Sequence, residues 1–108
     1  MKVVLVSYSG TSASILKDRM SAWAHANLIE AEIIISSLSG LDEGKEDADI
    51  VLVGPQVRCA FASVRELVPE HIPVLAVDTR DFGMAKGDRV MQEAIAEIRR
   101  YKDQLLRQ

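Results

Sequence analysis

Four short apolar runs, separated by longer segments, most constrain what this chain can fold into. The runs are residues 3–6, 29–35, 50–53 and 74–77, and most are rich in valine and isoleucine. Short continuous runs of this kind are typical of strands that are covered on both faces. Because helical patterns alternate with them, we predict an α/β fold with one open sheet of four parallel strands and helices on both faces.

Three segments predict helices, because their apolar residues are spaced three and four apart. They lie near residues 15–27, 57–67 and 90–105, and Pro69 ends the second of them. The polar segment at residues 36–47 is predicted to be a crossover loop. The predicted buried stripes of the first and third helices are Ile15, Leu16, Met20, Trp23 and Ala26 or Asn27, and Val90, Met91, Ala94, Ile95, Ile98 and Leu105.

Length and charge exclude several kinds of protein. A chain of 108 residues fits one compact domain, covering residues 1–108. The net charge of −3 argues against a nucleic-acid partner or a membrane surface. Without a long apolar run or a signal peptide, we expect a cytoplasmic protein, and the single cysteine, Cys59, agrees with a reducing compartment. Cys59 and Met84 have no ligand companions at suitable spacing, so no metal site is predicted.

Small and hydroxyl-bearing residues follow the first strand, in the sequence S-Y-S-G-T-S-A-S at 7–14. In open parallel sheets, ligands bind beyond the carboxyl ends of the strands, and a helix N-terminus favours an anion there. A simple helix cap would explain the same residues. The nucleotide-binding patterns GxxxxGK[ST] and GxGxxG are both missing. Residues 54–56 and 78–87 follow later strands and are predicted to reach the same edge.

Three segments, taken in order, carry a resemblance to a known family. They are residues 7–14, the sequence ADIVLVGPQV at 48–57, and AVDTRDFGMAKGDRVMQEAIAEI at 76–98. With them the chain resembles the cytoplasmic IIB component of the lactose/cellobiose/chitobiose class of the bacterial phosphoenolpyruvate-dependent sugar phosphotransferase system. The resemblance runs nearly from end to end. It implies a phosphocarrier that needs no cofactor.

The resemblance also implies roles for individual residues. The family has a cysteine at position 7, which takes a phosphoryl group from a phosphohistidine of the IIA component and passes it to sugar bound by the membrane IIC component. Gln56 and Asp78 would line the rim of the site, while Phe82 and Lys86 replace a tyrosine and an aspartate of the family pattern. The implied phosphate-binding residues are Tyr8, Ser9, Gly10, Thr11, Ser12, Ala13 and Ser14.

Ser7 is the main departure from the family, because it stands where the family has its reactive cysteine. A hydroxyl stays protonated without a positioned base, whereas a thiolate is available near neutral pH. His25 and His71 are expected to be structural, and Cys59 aligns with an ordinary residue. Either this chain is a Cys-to-Ser variant that is inactive in transfer, which we favour, or it is a homologue that only docks a IIA-type partner or a phosphate group. Ala13 stands where a low-molecular-weight phosphatase would have arginine, which argues against phosphatase activity.

Overall fold

The computed structural model describes residues 1–8, 11–39, 41 and 47–107. Its centre is a sheet of four parallel strands in the order β2-β1-β3-β4. The strands are β1 (Lys2–Val6), β2 (Glu32–Ser36), β3 (Ile50–Val53) and β4 (Val74–Ala76). In the register, Val6 pairs with Ser36 on one side and with Val53 on the other, so the carboxyl ends of the two central strands and β2 finish level.

Helices follow the strands in the alternation that the sequence predicts. Helix α1 spans Thr11–Ala26, α2 spans Phe61–Leu67, α3 spans Thr79–Gly83 and α4 spans Gly87–Leu106. A 3-10 helix at Pro55–Ala60 precedes α2. Among the described residues, no helix is both long and apolar enough to cross a membrane.

The two faces of the sheet carry separate buried clusters. On one face, Val3, Leu5 and Leu52 pack with residues of α1, α3 and α4. On the other face, Val4, Val6 and Val53 pack with the 3-10 helix and α2. Successive residues of a strand point to opposite faces, so a run that is apolar at every position needs a cover on both sides. The predicted fold class is therefore confirmed.

The connections that follow β1 and β3 run in opposite directions across the sheet. After β1, helix α1 covers one face and leads to β2; after β3, the 3-10 helix and α2 cover the other face and lead to β4. The connections that leave the carboxyl ends of β1 and β3 therefore diverge to opposite faces. In open α/β sheets, such a divergence creates the crevice in which ligands bind.

Several predicted boundaries and buried positions were wrong. Strand β2 begins at Glu32 and not at residue 29, because the Ile29 amide donates to the carbonyl of Ala24 and closes the end of α1. Ile15 and Leu105 are 43% and 37% exposed, so neither belongs to a buried stripe. In α1, Leu16 and Met20 are buried as predicted, together with Ala13 and Ala24, whereas Ala26 and Asn27 are exposed.

The segment at residues 78–87, which was predicted to reach the carboxyl edge of the sheet, follows β4 and contains the short helix α3 and the start of α4. Half of the predicted crossover loop at residues 36–47 lies outside the described residues, and Leu41 within it is buried in the cluster around α2.

Candidate functional site

Ser7 lies directly after β1, at the point where the connections that follow β1 and β3 diverge. Its amide donates a hydrogen bond of 2.9 Å to the carbonyl of Ser36, and the amide of Gly54 donates one of 2.9 Å to the carbonyl of Val6. The exits of β2 and β3 therefore flank Ser7 on its two sides. Strand alternation directs its side chain to the face covered by α1, and Ser7 is only 2% exposed.

Gly54 leaves room beside Ser7 that a side chain would fill. A β-carbon at position 54 would lie 3.2 Å from the carbonyl oxygen of Val6, 3.3 Å from Oε1 of Gln56 and 3.5 Å from Cε2 of Phe82. The carboxamide of Gln56 and the ring of Phe82 therefore both approach the exit of β3. Gln56 is where a rim residue would be, but a rim role for it stays a prediction.

The predicted phosphate-binding residues divide into three groups. Tyr8 is 62% exposed, and Ser9 and Gly10 lie outside the described residues. Thr11, Ser12 and Ser14 are exposed in the first turn of α1, whereas Ala13 is buried in the core. The first four amides of an α-helix have no partner within that helix, and the first turn of α1 carries no acidic side chain. This helix end therefore favours a negative charge.

Asp78 forms the N-terminal cap of α3. Its Oδ1 accepts hydrogen bonds from the amides of Arg80 at 2.9 Å and Asp81 at 3.0 Å. The bond from the Asp81 amide holds the pKa of the Asp78 carboxyl below its ordinary value of 3.8, and the Arg80 amide and the charges of Arg80 and Arg89 add to this effect. Asp78 is therefore a helix cap, and the rim role that the resemblance implies for it stays a prediction.

Two arginines join α3 to neighbouring elements. Arg58 donates from Nη2 to Oγ1 of Thr79 at 3.1 Å, which joins the 3-10 helix to the start of α3. Arg89 donates from Nε to Oδ1 of Asp81 at 3.2 Å, which joins α4 to α3. Asp81 is only 4% exposed. Sequence reasoning did not single out these residues, because only the fold brings their segments together.

Both histidines lie toward the opposite edge of the sheet from Ser7. His25 is in the last turn of α1 and His71 is in the turn before β4, so both are near the amino ends of the strands. Ser7 is at the carboxyl end of β1, so neither imidazole can remove its proton. Cys59 is exposed in the 3-10 helix, and the prediction that it falls in the second helix was wrong. Within the part of the chain that the structure describes, no three His, Cys, Asp or Glu residues gather as metal ligands do.

The fold and the site define an α/β protein with one candidate acceptor side chain, at the end of its first strand and near the N-terminus of its first helix. The family model described as "PTS system, Lactose/Cellobiose specific IIB subunit" matches residues 2–93, and the chain belongs to this family. IIB components are phosphotransferases of sugar uptake systems, and they work with IIA and IIC components.

Two bacterial EIIB components align with most of the chain. The oligo-beta-mannoside-specific EIIB component of Bacillus subtilis is 33% identical over 99 residues, which are 88% of this chain and 93% of that protein. The galactose-specific EIIB component of Lactococcus lactis subsp. cremoris is 29% identical over 98 residues, which are 85% of this chain and 91% of that protein.

Solved structures agree with this assignment. The cellobiose-specific IIB component of Borrelia burgdorferi has a TM-score of 0.78 and 31% identity, over 94% of each chain. The lactose-specific IIB domain of Streptococcus pneumoniae has a TM-score of 0.75, covering 90% of this chain and 96% of that one, and at 13% identity it supports the fold alone.

Proposed function

We propose that this protein has the architecture of a phosphocarrier of a sugar phosphotransferase system, with position 7 as its acceptor position. In this role a IIA component would donate the phosphoryl group from a phosphohistidine, and a membrane IIC component would hold the sugar that receives it. The observation that carries the proposal is the position of Ser7. It lies directly after β1, where the connections that follow β1 and β3 diverge.

The chain as it stands is proposed to be inactive in transfer. A serine hydroxyl needs a base to become a nucleophile, and His25 and His71 lie toward the opposite ends of the strands. We favour a Cys-to-Ser variant over a homologue that has lost transfer, because replacing sulfur by oxygen nearly keeps the shape of the side chain.

A cysteine at position 7 would restore the chemistry. Its thiolate would attack the phosphorus atom, so that the S–P bond forms while the P–N bond to the donor histidine breaks. The electron pair of that bond stays on the histidine nitrogen. Amides from residue 8 to residue 14, with the hydroxyls of Thr11, Ser12 and Ser14, would hold the phosphoryl oxygens.

The test uses two proteins that differ only at position 7. Cys59→Ser removes the other thiol, so that Ser7 and Ser7→Cys can be compared in a background without it. Each protein is incubated with a IIA component that carries a radiolabelled phosphohistidine. We expect label on the Ser7→Cys protein and none on the Ser7 protein. Absence of label from both, while the IIA component labels an authentic IIB protein, would contradict the carrier proposal.

The alternative is a binding module that docks a IIA-type partner or a phosphate group without transfer. The unactivated hydroxyl of Ser7 favours this alternative over slow transfer by serine. Isothermal titration of the unaltered protein with the IIA component distinguishes the two. Binding that persists when neither protein takes up label would support the docking module.

A further inference from the structure

Arg58 is an exposed cation on the segment that follows β3. It lies in the 3-10 helix, shortly after Gly54, whose amide donates to the carbonyl of Val6. Its Nη2 donates to Oγ1 of Thr79 at 3.1 Å, and Thr79 begins α3 after β4. Both ends of this hydrogen bond therefore belong to segments that leave the carboxyl edge of the sheet. The bond holds the guanidinium at the same edge as the candidate acceptor.

The charge of Arg58 is available to a partner, unlike that of two other arginines near this edge. Arg89 pairs with the buried carboxylate of Asp81, and the charge of Arg80 acts on the carboxylate of Asp78. Arg58 instead donates to a hydroxyl, which is uncharged and takes one of its five N–H donors. Among the described residues, no carboxylate forms an ion pair with Arg58.

Two large exposed side chains lie on the other connections of this edge. Tyr8 directly follows the candidate acceptor and is 62% exposed, and Met84 follows α3 and is 58% exposed. Tyrosine, methionine and arginine are enriched where proteins contact one another. The connections after β1, β3 and β4 thus each present a side chain suited to a protein partner.

The charge of the partner distinguishes the two encounters of a carrier. This chain has a net charge of −3, so it repels an anionic partner as a whole, and only local positive charge can attract one. A IIA component arrives with the negatively charged phosphoryl group on its own histidine. A IIC component meets the carrier when that group is already on the carrier. Positive charge at the carboxyl edge therefore favours the encounter with the IIA component.

We infer that Arg58 is a docking residue for the phosphorylated IIA component, because its guanidinium attracts the negative charge that this partner brings to the carboxyl edge. The inference rests on the proposed function, since it takes a IIA component as the donor. A cation at the rim of an interface acts mainly on the rate of association. Salt screens its effect beyond about 8 Å at physiological ionic strength. Arg58 thus sets how fast the donor arrives and takes no part in bond making.

The test measures how fast the unaltered chain associates with a IIA component that carries phosphohistidine, by surface plasmon resonance at several salt concentrations. We expect Arg58→Gln to slow association about threefold at low salt, and to match the parent in about 0.5 M salt. The loss should be smaller with the unphosphorylated IIA component. Arg58→Lys keeps the charge and should keep the rate.

Two further variants are controls. Arg99→Gln removes an exposed charge from the end of α4, near Tyr101, which bonds to the turn before β4 at the opposite edge of the sheet. Its association rate should equal that of the parent. Thr79→Val loses the hydrogen bond to Arg58 but keeps the cation, so it should keep most of the rate. Circular dichroism verifies that each variant is folded.

The outcomes separate this inference from the carrier proposal. An unchanged association rate in Arg58→Gln, an equal loss in Arg99→Gln or Thr79→Val, or an equal loss with the unphosphorylated IIA component would overturn the docking role of Arg58. In each of these cases, label on the Ser7→Cys protein would still support the carrier proposal. Absence of that label would contradict the carrier proposal even where Arg58→Gln slows binding.

Discussion

Asp78 is a residue of the carboxyl edge whose electrostatics can be stated fully. Its carboxylate accepts hydrogen bonds from the amides of Arg80 and Asp81, and it lies within the field of Arg89. These interactions favour the charged form over the neutral one, so the pKa of the group is lower in the folded protein than in the unfolded chain. Folding therefore depends on the protonation state of Asp78.

Replacing this cap gives a pH-dependent prediction. At neutral pH we expect Asp78→Ala to lower the melting temperature, since two amides at the start of α3 lose their acceptor. The stability that the charge of Asp78 contributes is fully present when the pH is above the ordinary pKa of 3.8. It is lost as the pH falls through the lowered pKa of the folded protein. Thermal melts across this range should therefore show the gap between parent and Asp78→Ala narrowing in acid.

Asp78→Asn is the control, because an amide oxygen still caps the helix but does not titrate. The gap between the Asn and Ala variants should stay nearly constant with pH. A gap between parent and Asp78→Ala that is equally independent of pH would show that the charge of Asp78 does not contribute to folding.

Helix α4 begins at a glycine that lies against the backbone of α1. A β-carbon at Gly87 would lie 2.5 Å from both the carbonyl carbon of Arg19 and the amide nitrogen of Met20. Both are backbone atoms, so a side-chain rotation cannot relieve the clash. The start of α4 can pack on the middle of α1 only because position 87 has no side chain.

We expect Gly87→Ala to destabilise the protein by about 1–3 kcal/mol, the usual cost of overpacking. Urea unfolding of the variant and the parent measures this difference. Gly83→Ala provides the matched comparison, since no heavy atom lies within 4 Å of a β-carbon built there. Its stability should change by less than about 0.5 kcal/mol. Equal effects of the two substitutions would contradict the packing argument.

Elements with long periodic patterns could be predicted from the sequence, and short elements could not. Helix α4 buries Val90, Met91 and Ala94 as predicted, because many apolar residues at helical spacing define the same face. Helix α3 has only five residues, which are too few for a hydrophobic period to show. The only sequence signal for its start was the capping residue Asp78. Leu28, with φ of 58°, ends α1 without the glycine that usually marks such a turn, so the start of β2 was misplaced.

The candidate site was predicted in part for the same reason. A strand followed by small residues and a helix pointed to Ser7, since these signals are local in the chain. The approach of Ser36, Gly54 and Phe82 to that point depends on strand order and register, which a single sequence does not specify.

Contacts across the sheet bear on the prediction that residues 1–108 form one domain. Helix α4 packs on the α1 face, yet the Tyr101 hydroxyl near its end donates to the carbonyl of Glu70, in the turn before β4. The Arg65 guanidinium carbon, on α2, lies 6.0 Å from the centre of the Tyr101 ring. The layers on the two faces are therefore joined around the β4 edge as well as through the sheet.

We predict that the protein unfolds in one cooperative transition. Fluorescence of the single tryptophan, Trp23, reports on α1 and its face of the core, whereas far-ultraviolet circular dichroism reports on all helices and strands. The two signals should give the same midpoint in urea. Separate midpoints would indicate that the two faces unfold independently and would contradict a single domain.

The connections after β1 and β3 diverge because of the strand order, whatever side chain stands at position 7. Exchange of oxygen for sulfur at position 7 alters the reactivity of one atom and hardly alters the shape around it. A partner that recognises only that shape would bind both forms equally well. The serine form would then compete with its cysteine counterpart for the same partner and slow the flow of phosphate through the system.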